Sequence, residues 1–159
     1  MLSGSTGQPR FTTHVQNAAA DAGYHAIGLA YSNAVSVAGM CQPLGSHNQT
    51  CQYNTRREVI TGDDLSDVID VPPADSIINR LYKLLVHLHA LDGTLGWNRY
   101  YDEASDGAVH WHKITIAGHS QGAGTAQVIA LMFAVHRVAM LAGGVVLLSS
   151  TYPPFAHTP

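Results

Sequence analysis

Lys113–Thr125 reads "KITIAGHSQGAGT", and no other stretch restricts the fold so sharply. The apolar run Ile114–Ala117 has the length and composition of a buried strand, and the segment from Gln121 to His136 reads as an apolar helix. Between them stands one serine, Ser120, with Gly118 two residues before it and Gly122 two after. A chain that turns from strand to helix at a single residue forces that residue toward strained backbone angles. Its neighbours at −2 and +2 must then lack side chains, so that the two arms do not collide. The hydroxyl is left exposed above the strand end. The helix start beneath it offers free N–H groups to an oxyanion. A phosphate-binding loop fits less well, because no lysine follows the glycines.

The remaining chain supplies alternating partners for that unit. Phe11–Ala22 reads as an alanine-rich helix stopped by Gly23, and Tyr24–Tyr31 as a short buried strand. Ser32–Pro73 is a long polar excursion within which Arg56–Ile60 suggests a helical piece. Asp75–Leu91 is the clearest helix: Ile77, Ile78, Leu81, Leu84, Leu85, Leu88 and Leu91 share one face, and Asp75 or Ser76 can cap it. Trp97–Tyr101 reads as a short helix and Met140–Ser149 as a further apolar strand. Strands alternating with helices predict a parallel sheet in a single domain over residues 1–159. Tyr24–Tyr31, Lys113–Ala117 and Met140–Ser149 are expected as parallel neighbours, with the strand before Ser120 central because its helix is apolar almost all round.

Composition narrows the function. Charged residues make up only 12% of the 159, and the eight Lys and Arg are scattered, which argues against a nucleic-acid surface. The uncharged apolar run Val138–Leu148 is too short to span a bilayer, so no transmembrane segment is expected. Met1–Gly4 lacks the basic and apolar regions of a signal peptide. Cys41 and Cys51 are either two free thiols or a local disulfide. The low charge, the few lysines and their shared polar loop favour the disulfide, and with it an oxidising, secreted or periplasmic location. Asn48-Gln49-Thr50 fits a glycosylation sequon, a triplet too common to decide anything.

With Gly118-His119-Ser120-Gln121-Gly122 as its elbow, the chain resembles the α/β-hydrolase family, and secreted esterase-, lipase- and cutinase-like members in particular. The resemblance implies a three-layer α/β-hydrolase sheet with the strand order 24–31, 113–117, 140–149, and a serine hydrolase of carboxylic esters. Its substrates would be small-molecule or lipid-like esters, and it would need no cofactor. Ser120 would be the nucleophile and the Gln121 N–H one oxyanion donor. The second donor would come from Ser3–Thr6, with Ser5 or Thr6 favoured.

The family's order is serine, acid, histidine. Here no Asp or Glu follows Ser120, and His136 and His157 are the only later histidines. His136 is expected far below the serine, and His119 is expected to point away from its hydroxyl. The triad acid and base are therefore not identifiable, and the pattern reads as an internal portion of a longer hydrolase whose sheet is truncated at both ends. Exposed strand edges would then favour self-association. The alternative is a non-catalytic α/β binding module, or an inactive fragment, that keeps the elbow as architecture.

Asp63, Asp64 and Asp67, and likewise Asp102, Glu103 and Asp106, read as solvated loop charges, and Arg56-Arg57-Glu58 as an exposed helical turn. His110 and His112 would share a strand face but lack a third ligand at metal-binding spacing, so no metal site is expected. His87 and His89, two apart on a helix, face different directions.

Overall fold

The structure is a computed structural model and describes residues 1–44 and 48–143. It is a mixed α/β arrangement in which helices surround a short parallel sheet. Strand β1 (Thr115–His119) pairs in parallel with β2 (Arg137–Leu141), in register from Thr115↔Arg137 to His119↔Leu141. Two isolated parallel bridges widen the sheet: Leu2 pairs with Gly118 on one side and with Leu29 on the other. The Leu2 N–H donates to Ala117 O at 2.8 Å, and the His119 N–H donates to Leu2 O at 3.0 Å.

Leu2 thus lies between the 24–31 segment and β1, which corrects the expected direct adjacency of those two segments. One fully buried leucine next to the chain start carries no periodicity by which a strand could be recognised. The elbow strand is also displaced, to Thr115–His119, because Trp111–Lys113 forms a 3₁₀ turn. His112 lies in that turn, so His110 and His112 do not share a strand face. Of the expected strand Met140–Ser149, Met140 and Leu141 end β2, while 144–149 lie outside the described residues, as does His157.

Three of the described helices start at a side chain that accepts a free backbone N–H. Helix α1 (Thr13–Asp21) follows a 3₁₀ turn over Pro9–Thr12 and ends before Gly23, whose φ of 87° suits glycine. Short α2 (Val37–Cys41) is capped by Ser36, and α3 (Gln49–Thr61) by Asn48, each accepting a backbone N–H. Gly62, at φ 79°, closes α3 through its N–H to Glu58 O. Ser76 caps α4 (Ile77–Leu91), which buries Ile77, Leu81, Tyr82 and Leu85 but leaves Leu91 exposed. Helix α5 (Gln121–Met132) is buried on almost every side and stops four residues short of the expected His136, where Phe133 turns extended.

One main core joins Leu2, Leu29, Ile60, Ile77, Leu85 and Ile129 across these elements. A smaller cluster of Val37, Cys41 and Cys51 lies under α2 and α3. Cys41 and Cys51 form the expected disulfide, with Cα atoms 5.9 Å apart.

The expectation that Arg56-Arg57-Glu58 is an exposed turn is overturned, because Arg56 and Glu58 are buried within α3. The Glu58 carboxylate accepts the N–H groups of Leu65, Ser66 and Val71 at 3.1, 2.8 and 3.0 Å. A buried carboxylate needs such donors, and here they come from the polar segment that follows the helix. Arg56 donates to Gln52 O at 3.0 Å, and burial lowers its pKa. Asp63, Asp64 and Asp67 are exposed, as expected. No described helix is long and apolar enough to cross a membrane.

Candidate active site

Ser120 stands at the junction of β1 and α5 with φ 52° and ψ −118°. A positive φ at a residue with a Cβ is disfavoured and costs on the order of 1–3 kcal/mol. It persists here because both flanks are clamped. A Cβ on Gly118 would lie 2.0 Å from Gly122 O, and one on Gly122 would lie 2.4 Å from Leu2 O and 2.6 Å from Ser3 O. Strand, helix and the 2–7 loop therefore meet without side chains between them. The Ser120 N–H remains in the sheet, donating to Leu141 O at 2.9 Å, while the residue itself is exposed.

The loop of residues 3–7 borders the serine: a Cβ on Gly4 would lie 3.1 Å from Ser120 Cβ. Its shape is fixed from a distance. Tyr31 donates its hydroxyl to Ser3 O at 2.6 Å, and burial pushes that phenol up to about 12. The Asn33 amide donates to Gly4 O at 2.7 Å and Gly7 O at 2.9 Å, and the Asn33 carbonyl accepts the Thr6 N–H at 2.8 Å.

That last bond separates the two expected donors. The Thr6 N–H is engaged, so of the backbone groups expected from Ser5 and Thr6 this one is not free to receive an oxyanion. The Ser5 and Gln121 N–H groups have no hydrogen-bond partner among the described residues, as a receptive donor requires. Thr6 instead holds the turn, at φ 57°.

The sequence assigned Gln121 only its backbone N–H, but its buried side chain ties the site together. Its Oε1 accepts both the Ser5 hydroxyl and the Val37 N–H at 2.9 Å, and its Nε2 donates to Val35 O at 3.4 Å. One amide thereby links the loop of Ser5, the start of α2 and the helix carrying Ser120. The Cys41–Cys51 bond ties α2 to α3, so the disulfide is one element removed from this brace. Asn33 and Tyr31 were also missed. Their partners are 26 to 29 residues away, and no local pattern connects them.

No general base or acid assembles beside Ser120 among the described residues. Among the described residues no imidazole or carboxylate hydrogen-bonds the Ser120 hydroxyl. His119 Nδ1 lies on the Gly4 side, 3.4 Å from where a Cβ on Gly4 would sit. The His136 N–H donates to Ile114 O, which places it at the opposite end of β1 from Ser120. At ~3.3 Å per residue that end is well beyond hydrogen-bond reach. Asp102, Glu103 and Asp106 are exposed, and Asp106 pairs with Lys83 at 3.0 Å. No group of three or more potential metal ligands occurs among the described residues. Comparison with protein-family models, with curated proteins and with solved structures finds no match to this chain.

Proposed function

We propose that the chain is an α/β-hydrolase-like serine hydrolase scaffold for carboxylic esters, its parallel sheet part of a three-layer arrangement. Ser120 is the nucleophile, and the Ser5 and Gln121 N–H groups receive the oxyanion. The observation that carries this reading is the positive φ of Ser120, held between two glycines that admit no side chain. Strain of this kind is kept where it presents a reactive group. In the reaction the Ser120 hydroxyl gives its proton to water as its oxygen bonds the ester carbonyl carbon, and the carbonyl oxygen becomes an anion held by the two N–H groups. The anion collapses as the bond to the alcohol oxygen breaks, and the alcohol leaves with a proton from water. Water then releases the acyl group from Ser120. The substrate class is small or lipid-like esters, and the disulfide fits a secreted or periplasmic setting.

A second reading has its own support. With no imidazole bonded to the Ser120 hydroxyl among the described residues, the elbow could serve as architecture in a binding module. The test is prolonged exposure to a fluorophosphonate with intact-mass readout, alongside hydrolysis of short p-nitrophenyl esters. Oxyanion donors alone sustain ~10³–10⁴-fold over water, against a loss on the order of 10⁶ when the base of a triad is removed. The expected result is a single adduct on Ser120 and slow turnover, both abolished by Ser120→Ala. A longer version of the chain carrying an Asp and a His after further strands should hydrolyse the same esters efficiently. No adduct on Ser120, and hydrolysis unchanged in Ser120→Ala, would leave the binding module standing.

A further inference from the structure

Of the eight Lys and Arg, all of them among the described residues, Arg56 alone is buried, with 8% of its surface exposed. A buried charge is normally paired, because the interior does not replace the water it loses. Arg56 has no such pair. The two ion pairs among the described residues, Arg80–Asp75 and Lys83–Asp106, lie at the surface, and all eleven Asp and Glu of the chain are described. Glu58, two residues further on, engages its carboxylate with backbone N–H groups. Nη1 of Arg56 donates to Gln52 O, while its buried Nε has no partner among the described residues. Burial lowers its pKa, yet a guanidinium keeps its proton at neutral pH.

This unpaired cation lies against the first turns of α5. A Cβ on Gly124 would meet its Nε and Nη2 at 2.9 Å, so the missing side chain there makes room for the guanidinium. The Gly124 N–H in turn reaches Ser120 O at 3.4 Å. Arg56 also acts electrostatically on Tyr31, whose hydroxyl holds Ser3 O. The charge therefore stands behind both elements that carry the free N–H groups, the 3–7 loop with Ser5 and the start of α5 with Gln121. A helix start is already a positive end, so a cation beside it is unfavourable until a negative charge arrives.

We propose that Arg56 is the fixed counter-charge of the oxyanion, set behind the N–H groups that receive it. This deepens the reading of Ser120 as the nucleophile and rests on it. The guanidinium touches no reacting atom. Its counter-ion is absent from the resting protein and forms only when the carbonyl oxygen becomes an anion, so the transition state gains an attraction that the ground state lacks. Four residues of helix rise about 6 Å, which sets the guanidinium on the order of 10 Å from that oxygen. At this range, with an effective dielectric of about 20, a unit charge changes a rate by about tenfold.

The test measures the rate at which a neutral fluorophosphonate labels Ser120, by intact mass, in the full 159-residue chain and in Arg56→Met, Arg56→Gln and Arg56→Lys. Each variant's urea midpoint is measured beside it. The two neutral variants should label about tenfold more slowly, and Arg56→Lys should recover most of the rate. Arg56→Met should unfold at the parent's midpoint or above it, because an apolar side chain replaces an unpaired buried charge. A residue that only held the fold would lower rate and midpoint together, in Arg56→Lys as well, and that result would overturn the proposal. If neither neutral variant folds while Arg56→Lys does, the charge serves the fold and the proposal falls. Equal labelling of the parent and the neutral variants would overturn this inference alone and leave Ser120 as the nucleophile. No adduct on Ser120 of the parent would remove that reading, and this inference with it.

Discussion

Gly118→Ala tests the geometry on which the site depends. On a strand this change should otherwise be mildly favourable, since glycine is the poorer strand former. Here the new Cβ would lie 2.0 Å from Gly122 O, 2.2 Å from Gly122 C and 2.6 Å from Ala123 N, all backbone atoms. Ordinary contact begins at 3.4 Å, so the start of α5 must move by about 1.4 Å (3.4 minus 2.0) relative to β1. Overpacking of this kind costs ~1–3 kcal/mol. The shift also strains the bonds from the Ala123 and Gly124 N–H groups to Ser120 O, now 3.0 and 3.4 Å. At ~1 kcal/mol each, their loss brings the expected destabilisation to about 3–5 kcal/mol.

With a urea slope near ~2 kcal/mol/M, the unfolding midpoint should fall by about 2 M. Gly124→Ala is the internal control. Its Cβ would meet the Arg56 guanidinium at 2.9 Å, the end of a side chain that can shift, so it should cost clearly less. A Gly118→Ala midpoint within about 0.3 M of the parent would refute the argument, because the helix start would then not be clamped against the strand.

Burial raises the Tyr31 phenol to about 12 from its ordinary value of 10.0, so it contributes stability that is fully present below pH 10 and lost as pH rises through 12. That shift corresponds to about 3 kcal/mol; ultraviolet titration should show a late-ionising tyrosine that is lost in Tyr31→Phe, and no such loss in that variant would contradict it. Reduction of Cys41–Cys51 reopens a loop ten residues long and should lower stability by ~2–3 kcal/mol in urea titrations with and without reductant. Strand β2 is exposed along its whole length, with Val138, Met140 and Leu141 each presenting apolar surface. Self-association is therefore expected at micromolar concentration, reduced by Met140→Lys, and sedimentation velocity showing a clean monomer for the parent would refute it.

The amino-acid sequence by itself determined the local units. Gly118, Ser120 and Gly122 required the sharp turn because its steric demand falls on residues two apart. The apolar face of Ile77, Leu81 and Leu85 required a helix, and Ser76 marked where it begins. The two cysteines in one loop had little distance to close. What the tertiary structure decided depends on groups far apart in the chain. Leu2 became a strand residue only because Gly118 and Leu29 flank it, and Glu58 became buried only because the segment through Val71 folds its N–H groups onto the carboxylate. Which of the Ser5 and Thr6 N–H groups is left unpaired turned on one carbonyl, Asn33 O, which engages the Thr6 N–H. Backbone hydrogen bonding is obligatory, but which group satisfies which is settled only when distant segments meet, and that pairing separates a donor free for chemistry from one held in the fold.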